Sequence, residues 1–242
     1  MRASRLEACL WNRKAGRHIS SVARDLSITS AEVTQHASSV NEELRRRGYQ
    51  PIFEFTGPYL RPATGQLFAD NVILLSKVKT EREYFFRNDS VAEGQFYADL
   101  LKDLLETAGF SNVWSVPVRQ GDGGVDLVAL RRILPGFLHL ADAPRVVPFV
   151  FECKFRAATR VADIRAFGNV ETIFSNPKLE EYTPFNFATY RPMLTPVRIF
   201  LAFECKRDKT RRNYQLNAGC YYLDRYDLAW WAHKSRRTFE IP

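Results

Sequence analysis

Two short stretches decide the fold of this chain: Gly-Asp-Gly-Gly-Val-Asp-Leu at 121–127 and Phe-Glu-Cys-Lys at 151–154. The first stretch places Asp126 at the start of a predicted strand, directly after a glycine-rich turn. Because side chains alternate across a strand, Glu152 and Lys154 are expected on one face of a second strand. If these two strands are neighbours, two carboxylates and one ammonium group converge at one place.

This set of groups is typical of a site that binds a divalent metal and activates water. Asp126 and Glu152 can supply carboxylate oxygens, and the carbonyl of Cys153 can supply a third oxygen. Mg²⁺ prefers such oxygen ligands, and bound metal lowers the pKa of water and neutralises charge on phosphate. Lys154 is suited to positioning the nucleophile or stabilising the transition state. The pattern therefore predicts hydrolysis of phosphodiester bonds with Mg²⁺, or with Mn²⁺ in its place.

A plain ion pair between Glu152 and Lys154 on an exposed strand is the alternative interpretation. The chain repeats the spacing at Glu-Cys-Lys 204–206, but no Gly-Gly-Val-Asp strand precedes that copy. The second copy is therefore not expected to bind metal. Lys206 and Arg207 open a basic turn that is predicted either to hold the DNA backbone or to be a solvated charged loop.

The two stretches resemble the catalytic core of Mrr-type restriction endonucleases, a branch of the PD-(D/E)xK nuclease superfamily. The resemblance covers roughly residues 90–228 and includes Ala-Gly-Phe at 108–110 and Phe-Gly at 167–168. It implies a restriction-endonuclease-like α/β fold, a mixed sheet flanked by helices. It also implies magnesium-dependent cleavage of double-stranded DNA, in restriction of foreign or modified DNA.

One acidic residue of that family is replaced in this chain. The Mrr-type branch often has Phe-Glu in the first helix of the domain, whereas this chain has Phe96-Tyr97. Glu93 lies four residues before Tyr97 on the same helix face and is expected to replace the missing acid. The alternative is that Glu93 is only an acid favoured in a first helical turn. Gln120, just before the glycine turn, is expected to contact substrate.

The N-terminal part of the chain predicts a DNA-binding winged helix. Residues 1–85 are assigned to this domain and its linker, and residues 86–242 to the nuclease domain. The winged-helix elements are predicted as helices at 5–16, 19–26 and 31–47 and strands at 51–55 and 66–75. Arg45, Arg46 and Arg47 end the third helix, where they are predicted to contact phosphates or to complement the helix C-terminus. A packing or oligomerisation module is the alternative for this domain.

The nuclease domain is predicted to begin with a helix and to alternate strands with helices after it. A polar linker is placed at 76–90. The elements are a helix at 90–108, strands at 112–118, 124–131, 147–155, 197–204 and 220–223, helices at 161–174 and 209–219, and a loop at 175–196.

Composition sets broad limits on partners and location. The chain of 242 residues has a net charge of +8, which suits a polyanion, although many soluble proteins are mildly basic. Neither a membrane-length apolar run nor a signal-peptide core is evident, so a cytoplasmic protein is expected. A homodimer is expected, since cutting both DNA strands usually takes two active sites. Two alternatives remain open: a DNA-binding regulatory protein with an inactive nuclease fold, and a repair nuclease for branched DNA.

Overall fold

The structure, a computed structural model, divides into two compact units. It describes residues 3–116, 125–133, 145–154, 197–203 and 220–240. The first unit comprises Met1–Asp89 with Tyr226–Pro242, and the second comprises Ser90–Arg225. The sequence prediction placed the boundary at 85 and kept the whole C-terminal segment in the second domain. That segment groups with the first unit because Tyr226 and Ala229 are part of its buried core.

The first unit combines helices with a small antiparallel sheet. Its elements are α1 Ala3–Ala8, β1 Arg17–His18, α2 Ile19–Leu26, α3 Ser30–Arg46, β2 Phe53–Thr56, β3 Tyr59–Pro62, α4 Leu67–Thr80, α5 Arg82–Phe86, and all but the first residue of α7 Arg225–Lys234. The strand order is β1-β3-β2, with both pairs antiparallel. The buried core of this unit contains side chains from both helices and strands, including Leu6, Val33, Leu60 and Phe68.

Helix α3 is fixed at its start and along its inner face. Thr29 and Glu32 form a capping box: the Thr29 hydroxyl accepts from the Glu32 amide at 3.2 Å, and the Glu32 carboxylate accepts from the Thr29 amide at 2.8 Å. On the inner face, the buried amide of Asn41 donates to the Phe53 carbonyl and accepts from the amides of Ile52 and Phe53. These three bonds join α3 to the first residue of β2 and to Ile52 just before it, and they satisfy backbone groups that burial would otherwise leave without a partner.

The predicted strand at 66–75 is wrong, because this stretch lies in helix α4. The second strand of the hairpin is β3, which lies between the two strands predicted at 51–55 and 66–75. Residues 67–75 are mostly apolar, and such a run does not distinguish a buried helix from a buried strand by its period. The predicted linker is also partly helical, since α4 continues to Thr80 and α5 follows. No helix in the described ranges, α4 included, has both the length and the apolar composition of a membrane span.

The second unit is a mixed five-stranded sheet preceded by helix α6, Ser90–Thr107. The strands are β4 Ser111–Ser115, β5 Leu127–Ile133, β6 Arg145–Lys154, β7 Val197–Ala202 and β8 Cys220–Leu223, in the order β4-β5-β6-β7-β8. The pairs β4–β5 and β5–β6 are antiparallel, and the pairs β6–β7 and β7–β8 are parallel. The predictions of an α/β class and of a mixed sheet are confirmed. The helices predicted at 161–174 and 209–219 and the loop at 175–196 lie outside the described residues.

Candidate functional site

Asp126 lies where strand β5 begins beside the end of β6. Its amide donates to the carbonyl of Phe151 at 2.8 Å, and its own carbonyl accepts from the amide of Val116 at 2.8 Å. The hydrogen-bond partners of Asp126 on β6, Phe151 and Cys153, flank Glu152 along that strand, so Asp126 lies beside Glu152. The two carboxylate residues of the predicted site are therefore neighbours across two adjacent strands.

The side chain of Asp126 is held by the backbone of β6. Its Oδ2 atom accepts a hydrogen bond from the amide of Cys153 at 2.5 Å. A bond from an amide to an ionised carboxylate is stronger than one between neutral groups, and it fixes the orientation of the carboxylate. The sequence predicted a role for the carbonyl of Cys153, as an oxygen ligand of the metal. In the structure the amide of Cys153 also has a role, because it donates this hydrogen bond to Asp126.

Glu152 is in the middle of the sheet and is nearly inaccessible. Strand β6 lies between β5 and β7, where Glu152 pairs in register with Phe200, and the Glu152 residue is 3% exposed. The ring of Phe200 stacks on Tyr222 of β8 at a centroid distance of 5.5 Å. A buried carboxylate needs compensating cations or donors, and electrostatic attraction to a cation is strong where water is excluded.

Several predicted site residues lie outside the described part of the chain. Lys154 is described only in its backbone, which ends β6 and pairs with Ala202 of β7. Gln120, Lys206 and Arg207 are outside the described ranges, as is the second Glu-Cys-Lys copy at 204–206. The roles assigned to these residues stay predictions.

Glu93 is buried in the first turn of α6, one helical turn before Tyr97. Tyr97 is fully buried, and its ring lies 6.4 Å from that of Phe203 at the end of β7. Within the described residues no three His, Cys, Asp or Glu side chains form a group able to hold a metal. Glu93 therefore does not join Asp126 and Glu152 as a third acidic ligand.

The donor set where β5 begins beside the end of β6 still fits Mg²⁺. Two carboxylates from adjacent strands and a backbone carbonyl are hard oxygen ligands, which this ion prefers. Mg²⁺ usually keeps several waters and is bound in proteins through one or two carboxylates together with substrate phosphates. A site with Asp126 and Glu152 as its acidic ligands meets that requirement without a third side chain.

The three arginines that end α3 differ from one another. Arg45 and Arg46 are exposed, and Arg46 makes only loose ion pairs, 3.4 Å from Glu42 and 3.5 Å from Glu43. Arg47 instead forms an ion pair with Asp227 at 3.0 Å, with side-chain exposures of 9% and 10%. The structure thus gives Arg47 a packing role, which replaces the predicted phosphate contact for that residue.

Aromatic rings complete the surroundings of Arg47. Its guanidinium lies 4.9 Å from the centroid of Tyr49 and 5.3 Å from that of Tyr226. The Tyr49 hydroxyl donates to Asp227, and burial together with the charge of Asp227 raises the pKa of Tyr49. Asp227 is far along the sequence from α3, so no local pattern could have indicated this cluster.

Sequence reasoning also missed two exposed aromatic residues of the β2–β3 hairpin, Phe55 and Tyr59. The signal was present in the sequence, since these residues flank the Gly57-Pro58 turn in Phe-Thr-Gly-Pro-Tyr. Aromatic residues beside a tight turn lie at the end of a hairpin, where the core cannot cover them fully.

Comparisons of the chain with protein-family models, with curated proteins and with solved structures found no match. A function is therefore inferred from the arrangement of the chain's own residues.

Proposed function

We propose that this protein is a metal-dependent DNA endonuclease of the PD-(D/E)xK kind, acting in restriction of foreign or modified DNA. The observation that carries the proposal is the Asp126 carboxylate, which is bound by the Cys153 amide and lies beside Glu152 where β5 begins next to the end of β6. A nuclease needs acidic oxygen ligands fixed in place before substrate arrives, because positioning and electrostatics supply most of the rate enhancement.

The chemical roles follow from the donors available. Mg²⁺ bound at this site would acidify a water molecule and offset the negative charge that develops on phosphate. Asp126 and Glu152 would hold the ion, and the Cys153 carbonyl would be a further oxygen ligand. Lys154, which ends the same strand as Glu152, is assigned to the water or to the phosphate.

The first unit supports a DNA-binding role for the N-terminal domain. Its order of helix, short strand, two helices and hairpin supports the proposal of a winged helix. The exposed face of α3 carries Gln35, Ser38 and Ser39, whose polar side chains are suited to base edges in the major groove. Arg45 and Arg46 extend this face with exposed cations suited to phosphates.

A second candidate is a DNA-binding regulatory protein that keeps the nuclease fold without cleavage. The observation that favours it is the buried Tyr97, at the helix position where an acid would complete the site. Under this alternative, Asp126 serves only to join β5 to β6.

Cleavage of a labelled linear duplex by a panel of variants tests the proposal. Asp126→Ala, Glu152→Gln and Lys154→Ala are expected to abolish Mg²⁺-dependent cutting while DNA binding, measured by fluorescence anisotropy, survives. Glu204→Ala is the matched control, since it alters the second Glu-x-Lys copy and is expected to leave cutting largely intact. Equal losses at Glu152 and Glu204, or binding without cutting by the unaltered protein, would contradict the proposal.

A further inference from the structure

The C-terminus of helix α7 is closed by a Schellman motif. The amide of Arg237 donates to the carbonyl of Ala232 at 2.8 Å, and the amide of Arg236 donates to the carbonyl of His233 at 3.1 Å. Arg236 has a φ of +56°, the left-handed conformation that this motif requires just beyond the helix. Glycine is usual at that position because a Cβ atom disfavours positive φ, and the residue after it is commonly apolar and contacts the last turn.

The same motif ends helices α2, α3 and α6, each with the same two kinds of backbone hydrogen bond. The residues at the left-handed position are Ser27, Gly48 and Gly109. The residues that follow them are apolar or aromatic and partly buried: Ile28, Tyr49 and Phe110. Helix α7 differs at both positions, because one arginine replaces the small residue and a second arginine replaces the apolar one.

The two arginines of α7 are not explained by contacts that stabilise the helix end. Both side chains are exposed, and within the described part of the chain neither forms a hydrogen bond or an ion pair. The last turn already contains Lys234, a cation that complements the helix dipole. A long charged side chain at a strained backbone position indicates a binding role, because stability alone would favour glycine there.

The backbone that bears these arginines is fixed to helix α4. The side chain of Asn71 donates to the carbonyl of Arg237 at 2.9 Å and accepts from the amide of Phe239 at 3.0 Å. Asn71 and Phe239 are both buried. The two cations therefore start from a rigid backbone, which reduces the conformational entropy that binding a partner would cost.

Aromatic contacts place α7 beside the segment that follows α3. The ring of Trp230 lies 5.2 Å from that of Tyr49, measured between centroids. The ammonium group of Lys234 lies 4.6 Å from the centroid of Trp230, and this lysine is exposed. Helix α7 thus packs next to the end of α3, where Arg45 and Arg46 are exposed and are proposed to contact phosphates.

We infer that Lys234, Arg236 and Arg237, which together form the basic cap of α7, bind phosphates of the DNA backbone in addition to those contacted by α3. The inference rests on the DNA-binding part of the proposed function and adds a contact surface outside the winged-helix elements. Guanidinium groups match the oxygens of phosphate, and phosphate contacts position a protein on a duplex without reading its sequence. The basic cap is therefore expected to strengthen binding to all DNA sequences alike.

The test measures binding of the full-length protein to a labelled duplex in EDTA at several salt concentrations. Arg236→Gly/Arg237→Gln removes both charges and the strained side chain. We expect it to reduce the slope of log affinity against log salt by roughly 1.8, about 0.9 for each phosphate, and to weaken binding at low salt roughly tenfold or more. The urea midpoint of this variant should rise, because glycine relieves the left-handed position.

Two further variants control for charge. Arg236→Lys/Arg237→Lys keeps both cations and is expected to retain the slope. Arg13→Gln/Lys14→Gln removes two exposed cations from the turn before β1, in the same unit, and is expected to leave the slope unchanged.

An unchanged slope in Arg236→Gly/Arg237→Gln overturns the inference and leaves the proposed nuclease standing. Equal losses of slope in this variant and in Arg13→Gln/Lys14→Gln also overturn it, since they would reflect net charge alone. A lower urea midpoint would assign the arginines to stability and overturn it as well. Failure of the unaltered protein to bind DNA overturns the inference together with the DNA-binding role of the first unit. Cutting in Mg²⁺, which is measured separately, tests the catalytic proposal.

Discussion

The carboxylate of Asp126 accepts a hydrogen bond from the backbone amide of Cys153 at 2.5 Å. One side chain therefore joins the start of β5 to the end of β6 and also places a negative charge at the candidate metal site. Two substitutions separate these roles, because an asparagine side chain keeps an acceptor oxygen and loses the charge, whereas alanine loses both.

We expect Asp126→Asn and Asp126→Ala to reduce Mg²⁺-dependent cleavage at least roughly a hundredfold, since both remove the negatively charged carboxylate proposed to bind the metal. Only Asp126→Ala should lower the free energy of unfolding appreciably, by about 1–3 kcal/mol, because it leaves the Cys153 amide without its acceptor. Urea denaturation beside a cleavage assay measures both effects. Full cleavage by Asp126→Asn would show that the charge of Asp126 is not needed for catalysis.

Arg45 and Arg46 are expected to bind DNA phosphates. Arg45→Ala/Arg46→Ala should weaken binding to all sequences alike and reduce the slope of log affinity against log salt by about 0.9 for each phosphate that is no longer neutralised. The free energy of unfolding should change by less than about 0.5 kcal/mol, since both residues are exposed and the ion pairs of Arg46 are long. Binding titrations at several salt concentrations provide the slope. An unchanged slope would remove the C-terminal end of α3 from the DNA interface.

Arg47 should matter for stability and not for DNA binding. Arg47→Met leaves Asp227 buried without its cation, and removing one partner of a buried pair costs about 3–5 kcal/mol. Urea denaturation measures the loss, with Arg46→Met as the exposed control. Arg47→Met/Asp227→Leu should recover part of the loss, because no charge is then left buried. A loss below about 1 kcal/mol in Arg47→Met would contradict the packing role.

The capping box of α3 should give stability a dependence on acid pH. The Thr29 amide and hydroxyl donate to Glu32 and hold the pKa of that carboxyl below its usual value. A group with a lowered folded-state pKa stabilises fully above its unfolded pKa, about 4.3 for Glu, and loses this contribution as pH falls through the folded value. Glu32→Gln, which keeps the cap without the charge, should therefore be less stable than the unaltered protein at pH 7. The two should converge near pH 3, and a gap in urea midpoints that is constant with pH would contradict this.

The sequence predicted the second unit better than the first. Alternating apolar residues and strand-forming residues located all five strands. The glycine turn before Asp126 indicated that Asp126 begins a strand, which the structure places beside β6. Helix α4 was missed because its residues are buried on most sides and show no clear period.

The remaining features could not be predicted because they depend on contacts between segments that are distant in the sequence. Arg47 is one of three successive arginines that are identical in type, and only the return of Asp227 to the first unit distinguishes it from Arg45 and Arg46. The burial of Glu93 likewise depends on how α6 packs on the sheet, whereas its position in the first turn was readable.

The central claim is tested most directly by a plasmid cleavage assay. Methylated and unmethylated plasmid DNA are incubated with the unaltered protein in Mg²⁺ or in EDTA, and Asp126→Ala is assayed in parallel. We expect linear or nicked product with Mg²⁺ on at least one plasmid, none with EDTA and none from the variant. DNA that stays supercoiled with Mg²⁺ and with Mn²⁺ on both plasmids, while the protein still binds it, would contradict the nuclease and favour a DNA-binding regulatory protein.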